Sequence, residues 1–335
     1  MNAGYSTSVF WLKLKLRPLA QGAVTPRQWL LELAYPPLDY LELYVANPDG
    51  HFQLAQRTGD ALPYDSRQIR QSNYLFSLQL PPGQATTVYL RLHSQGSVQA
   101  PLALWAPEAY LEAQPSHFYV LGMIYGVLLV MLVYNLFIYL SVRDVSYLYY
   151  ILYIASFGLY QVSVNGAGIA YLWPNSPWWA NACTPLFIGA AGLFGCQFAR
   201  HFLQLRTISP RFDRLLQALM LGGAGVMVLA VTLRYGIALR MATALALLFT
   251  VSIFSAGLYA WWRGLRVARW FIIAWTAFLL GGLVNTLMVL GYLPNLFITM
   301  YASQLGSALE VALLSLALAD RINSLRNQQA QALRD

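Results

Sequence analysis

After Pro115 the chain becomes a succession of seven apolar runs, at about 118–140, 147–164, 181–200, 215–233, 239–262, 270–290 and 296–319. Each is close to the roughly 20 residues that a helix needs to cross the hydrocarbon of a bilayer. The second is the least clean, because the tyrosine-rich "YLYYILYIASFGLY" passes into "NGAG". Trp173, Trp178, Trp179, Trp261, Trp262 and Trp270 fall near run ends, where an aromatic belt belongs. The composition agrees: 58% of residues are hydrophobic and 10% charged, against about 25% charged in soluble proteins. The pattern predicts a seven-helix membrane bundle.

Arginine sets the orientation. Residues 1–117 hold eight Lys/Arg and eight Asp/Glu, so the net charge of +8 belongs to the remainder. If the N-terminal part lies outside, the loops facing inward hold Arg143, Arg200, Arg206, Arg211, Arg214, Arg263, Arg266, Arg269, Arg321, Arg326 and Arg334. The opposite loops hold Arg234 and Arg240. The positive-inside rule then predicts an exterior N-terminal domain and a C-terminus in the cytoplasm. No soluble basic face of the kind that binds nucleic acid is visible.

Residues 9–105 read as sheet. "VFWLKLKL", "YLELYVA" and "TVYLRLH" alternate apolar with polar or aromatic residues, while "YLFSLQL" and "PLALW" fit less cleanly. "PP" at 36–37, "NPDG" at 47–50, "TGD" at 58–60 and "PPG" at 81–83 punctuate them. Short strands divided in this way predict an antiparallel β-sandwich. The domains expected are a sandwich over 1–112, the bundle over 113–319, and the start of a signalling helix over 320–335. Val311, Leu318, Leu325 and Ala332 recur every seven residues, which fits either the start of a coiled coil interrupted at Gln329 or a juxtamembrane helix. The N-terminus shows no basic n-region or continuous h-region, so a longer parent chain is expected.

In order along the chain, "LDYLELYVANPDG" (38–50), "RTGDALPYDSR" (57–67), "LPPGQATTVYLRLHSQGS" (80–97) and "PLALWAP" (101–107) resemble a known domain type. It is the type-2 extracellular domain of the bacterial seven-transmembrane receptors with diverse intracellular signalling modules. "SVRDVSYLYYILY" (141–153), Gly166, "YLWP" (171–174) and "GSALEVALLSLALADRIN" (306–323) resemble the membrane half of the same family. The resemblance implies a jelly-roll-like sandwich similar to carbohydrate-binding domains, periplasmic, on an inner-membrane protein. It also implies a seventh helix feeding a cytoplasmic histidine kinase or diguanylate cyclase in the parent. The expected partners are a carbohydrate-like small molecule or a periplasmic protein outside, the bilayer, and a second copy of the chain.

Candidate ligand-binding residues follow from strand faces. Tyr89, Arg91 and His93 share one face, and Tyr40, Glu42 and Tyr44 share the corresponding face of another strand, as do Trp11, Lys13 and Lys15. Aromatic platforms beside charges suit sugars and small polar ligands, although a solvated outer face has the same pattern. Asp60, Asp65, Arg67 and Arg70 lie in a polar connection that either rims such a pocket or is held by salt bridges.

Glu310 is the exception inside the seventh run. It lies ten residues before the Asp320–Arg321 boundary, about 15 Å along a helix and so near midplane. A charge there costs at least about 2.5–3.5 kcal/mol, so Glu310 must face the bundle interior. Asn135, Asn285, Ser307, Tyr134 and Tyr301 are candidate partners. Such a network is either a static clamp or a relay with two arrangements, involving Glu310, Asp320 and Arg321. Gly122 and Gly126 form a small-residue pair on the first helix, suited to close packing within the bundle or between copies.

Other membrane functions find little support. A retinal protein needs a membrane lysine, and the lysines are Lys13 and Lys15. A bis-histidine haem protein or an intramembrane serine protease needs membrane histidines, and that half holds His201 and the boundary residue His117. Cys183 and Cys196 read as buried apolar residues, no metal-ligand spacing is present, and no cofactor is expected. The remaining alternative is a transporter or channel, for which "NGAGIAYLWPNSPWW" could re-enter the membrane.

Overall fold

The computed structural model describes the backbone of residues 1–17, 28–47, 49–81, 83–232, 235–289, 292–294 and 296–332. Pro48, Pro82, Arg234 and Arg334 lie outside the described residues, as do the side chains of Leu325, Arg326, Gln329 and Ala332. The N-terminal strands are β1 Asn2–Tyr5, β2 Phe10–Leu16, β3 Gln28–Leu33, β4 Tyr40–Ala46, β5 Phe52–Thr58, β6 Tyr74–Gln79, β7 Thr86–His93, β8 Ser97–Gln99 and β9 Leu102–Trp105. They form three antiparallel sheets, ordered β2-β7-β4-β5, β6-β3-β9 and β1-β8. The register of β4 on β7 puts Leu41 opposite Leu92, Leu43 opposite Leu90 and Val45 opposite Val88. These side chains pack with Leu31, Leu33, Tyr74, Phe76 and Leu78 of the three-stranded sheet in one core. Each fully buried side chain of this size contributes about 1.5–3 kcal/mol by leaving water.

β1, β3, β5 and β8 had not been marked by alternation. β3 is the middle strand of its sheet and is buried on both faces from Leu30 to Leu33. Such a strand carries no period-two signal. Its Glu32 is accommodated by hydrogen bonds from Asn73 at 2.7 Å and from the Trp105 indole at 2.8 Å. β5 is an edge strand, exposed along most of its length, and it bulges by one residue, Ala55, opposite Leu43 and Tyr44 of β4.

Helices follow: α1 Pro107–Val142, α2 Val145–Val164, α3 Pro177–Phe202, α4 Leu205–Ile208, α5 Pro210–Thr232, α6 Tyr235–Trp262, α7 Ala268–Val289, α8 Phe297–Met300 and α9 Ala302–Ala332. α4 and α8 are single turns, and Gly168–Leu172 forms one π-type turn within the glycine-bearing connection. Six of the long helices are apolar and long enough to cross a membrane. α2 is 20 residues long, but its five tyrosines and Gln161 lower its mean hydropathy, and it is not among the six. The chain is a multi-pass membrane protein with a β-sandwich at its N-terminus.

Two compact units divide the chain. The first comprises Met1–Phe118, Leu159–Phe187 and Val226–Thr243. In it, sandwich loops meet the adjoining helix ends. Tyr64 N–H donates to the Pro174 carbonyl at 3.2 Å, and the Tyr5 and Thr243 hydroxyls lie 2.8 Å apart. Gly166 adopts φ +76°, and a Cβ there would stand 2.9 Å from Pro36 and 3.1 Å from the Ser72 carbonyl. The second unit comprises Tyr119–Gly158, Ile188–Gly225 and Ala244–Asp335. In it α7 and α9 approach backbone to backbone through Gly281 and Gly306, whose Cα atoms admit no larger residue between them.

Candidate ligand face and buried polar network

The four-stranded sheet carries its non-core side chains on one face. The register aligns Tyr40 with His93, Glu42 with Arg91 and Tyr44 with Tyr89. On the other side of β7, Trp11 aligns with Arg91 and Lys13 with Tyr89. Alternation along β2, β4 and β7 therefore places all these side chains together, as the strand faces predict. Glu42 is the centre. It pairs with Arg57 at 3.3 Å and Arg91 at 3.2 Å, and accepts from the Tyr44 hydroxyl at 2.9 Å. That carboxylate beside Tyr44 holds its phenol above the ordinary value.

Around this centre the aromatic rings pair. Trp11 and Tyr44 lie 5.2 Å apart between centroids, Phe52 meets Tyr89 edge-on at 4.7 Å, and His93 stacks on Tyr40 at 5.9 Å. Arg57 lies over Tyr40 at 5.8 Å and Lys13 over Tyr89 at 6.0 Å. Trp11 is 55% exposed and Phe52 43% exposed, so the platform offers ring surface to solvent. Phe52 and Arg57 belong to β5 and had not been named from sequence, because that strand showed no alternation.

Asp60 and Arg67 do not join this face. Gly59 turns the chain back with φ +151°, and a Cβ there would fall 1.9 Å from the Asp39 carbonyl. This turn seats Asp60 against Asp39 at the end of the sandwich, where both carboxyls are buried. Arg67 is likewise buried. It donates to the Gln71 carbonyl and, at 2.6 Å, to the Ser72 carbonyl, and lies 4.4 Å from the Tyr74 ring and 5.1 Å from that of Tyr64. Asp65 and Arg70 form an exposed ion pair at 2.9 Å.

In the second unit Glu310 is fully buried. The Tyr153 hydroxyl donates to it, 2.8 Å from Oε1 and 3.1 Å from Oε2. One turn along α9, Ser315 accepts from Asn135 at 2.9 Å and donates to the Tyr150 hydroxyl at 3.3 Å. Tyr150 in turn donates to the Val311 carbonyl. α1, α2 and α9 are thereby tied through side chains inside the bundle. Of the expected partners, Asn135 enters the network through Ser315 rather than through Glu310. Asn285 donates to Met300 and Ser307 to Gln304, while Tyr134 is 46% exposed. Tyr301 packs against Val120 and Ile124. Tyr150 and Tyr153 had not been named as partners; their three-residue spacing, which puts both on one helix face, is the signal that finds them.

At the end of the apolar part of α9, Arg321 donates to Ser146 Oγ at 3.2 Å and lies 5.5 Å from the Phe202 ring. Asp320 is exposed. A Cβ on Gly122 or Gly126 would meet open space, so neither glycine is needed for packing within the described chain.

Comparison with known proteins bears on both halves. A family model described as 7TM diverse intracellular signalling matches residues 117–321. A second, described as 7TMR-DISM extracellular 2, matches residues 1–106. No curated protein and no solved structure matches.

Proposed function

This chain belongs to the seven-transmembrane receptors with diverse intracellular signalling modules, and from that membership we propose that it is the sensing part of a signalling receptor. The sandwich captures a carbohydrate-like ligand in the periplasm on the β2-β7-β4-β5 face. The bundle, in the bacterial inner membrane, relays occupancy along α9. A cytoplasmic histidine kinase or diguanylate cyclase, carried by a longer parent chain, receives it.

The observation that carries this reading is the face itself. Trp11, Tyr44, Phe52 and Tyr89 supply ring surface on which sugar C–H groups can stack. Glu42, Arg57 and Arg91 supply hydrogen-bonding charge already fixed in place by mutual ion pairs. A preorganised polar centre does not have to be ordered when the ligand arrives. Transmission is favoured because sandwich loops and the ends of α2, α3 and α6 share one compact unit. Coupling of this kind is typically about 1–3 kcal/mol, which small changes in packing can supply.

The test is binding followed by output. The chain in nanodiscs is screened against soluble glycans, and the hit is tried on the parent receptor carrying its output domain. Trp11→Ala and Tyr44→Ala should each weaken binding about five- to tenfold while leaving the fold intact. Normal binding by both variants would remove the face from the mechanism. Output that ignores deletion of residues 1–105 would remove the receptor reading altogether.

A further inference from the structure

A cavity lies within the first unit, beside the Asp39–Tyr40 start of β4. Its volume is about 340 Å³, and its walls include Asp39, Tyr40, Gln95, Trp178, Asn181 and Tyr235. We infer that this cavity binds the ammonium group of a small organic amine, with Asp39 as the counter-charge.

Two buried oxygens of the cavity wall point to this chemistry. Asp39 is 4% exposed, and its Oδ2 accepts from the Gln95 N–H at 2.7 Å, but its Oδ1 has no hydrogen-bond partner. Asp60, which does not line this cavity, lies against Asp39 and is 8% exposed. Asn181 uses its amide nitrogen on the Pro177 carbonyl at 3.3 Å, which leaves its Oδ1 unpaired. A buried acceptor left without a donor is costly and rare. Here two, one from a sandwich loop and one from α3, line the same cavity. An ammonium carries three N–H donors and one positive charge.

The protein's own cations do not meet this need. Arg67 bears on Asp60, and His93 on Asp39, through the electrostatic field. Among the described residues neither forms an ion pair with either carboxylate. A bare metal ion fits less well. Calcium takes six to eight oxygens, and this cavity offers aromatic wall instead. Trp178, Tyr40 and Tyr235 line it, and ring faces attract organic cations. The volume also suits a small molecule rather than an ion.

The cavity shares Tyr40 with the outer sheet face, but Asp39 and Trp178 belong to the cavity alone, so variants at those two test it without any assumption about sugars or signalling. The full chain in nanodiscs is titrated with n-butylamine, with n-butanol as the uncharged isostere, and with calcium chloride. Thermal shift and calorimetry are the readouts. Saturable binding of n-butylamine at least tenfold tighter than of n-butanol is expected. Asp39→Asn should abolish it. Trp178→Ala, at a residue 65% exposed and therefore safe for folding, should weaken it about fivefold or more. Equal binding of amine and alcohol would overturn the inference. So would amine binding unaltered by Trp178→Ala, or calcium saturating a site from which n-butylamine cannot displace it.

Discussion

Asp39 and Asp60 face each other at the end of the sandwich, and burial raises the pKa of both, Asp60 most. The folded chain therefore holds protons there more tightly than the unfolded chain. Stability from this pair is complete in acid, below the ordinary aspartate range, and is lost as pH rises through the raised values. An amide copies the protonated carboxyl without titrating. In amine-free buffer Asp60→Asn should raise the thermal midpoint at about pH 8 and change it little near pH 4; an equal effect at both would show that ionisation is not the cause. Glu310 poses the complementary problem inside the bundle. Glu310→Gln keeps an oxygen for the Tyr153 hydroxyl and should be nearly neutral for stability. Glu310→Ala strands that hydroxyl and should cost about 1–3 kcal/mol, read as the difference in unfolding free energy between the variants. Glu310 was legible because a lone carboxylate in an apolar run must face inward. Its partner was not: Tyr134 and Tyr301 were among the residues expected, but the hydroxyl that reaches it is that of Tyr153 on α2, because which helices neighbour α9 is a tertiary matter. The Asp39–Asp60 contact was equally hidden, because the Gly59 turn that creates it leaves no pattern beyond a common "TGD".

Elements show the same division between local and tertiary signals. β2, β4 and β7 were legible because each has one face in the core and one in water. β3 was not, because both of its faces are covered, and β5 was not, because little of it is. Helix contacts make the point more sharply. Gly122 and Gly126 have the spacing that marks close packing, yet a Cβ on either would touch nothing among the described residues. The intimate pair is Gly281 and Gly306, on α7 and α9, where a Cβ would lie 2.4 Å from the Ala302 carbonyl and 2.7 Å from the Ala277 carbonyl respectively. No spacing rule finds two single glycines on different helices. Gly306→Ala should force α7 and α9 apart, with an overpacking cost of about 1–3 kcal/mol. Gly126→Ala should be neutral or stabilising, by up to about 1 kcal/mol of helix propensity. Thermal midpoints in one detergent check the pair, and equal effects would mean that the α7–α9 approach is looser than described. Because α9 carries Glu310 on one side and continues beyond the apolar segment, the Gly306 variant should also shift output in the parent receptor.

At the scale of the molecule, function depends on which side of the membrane the sandwich occupies. The charge balance makes the argument: the sandwich region is neutral, and the arginines gather in alternate loops. With α2 counted as a seventh span beside the six apolar helices, the two ends of the chain would lie on opposite sides. α2 decides the parity: it is not among the six apolar spans, and without it the ends would share a side. Cys183 and Cys196 are free and fully buried, so a cysteine introduced elsewhere is the reactive one. Gln53→Cys on β5 and Arg266→Cys after α6 are both exposed positions. With a membrane-impermeant maleimide on intact spheroplasts, Gln53→Cys should label at once and Arg266→Cys only after permeabilisation. A cysteine at Asn175, between α2 and α3, should label with the first, and one at Arg143, between α1 and α2, with the second. If Asn175 and Arg143 labelled from the same side, α2 would not cross, the parity would change, and α9 would end on the side where the ligand binds.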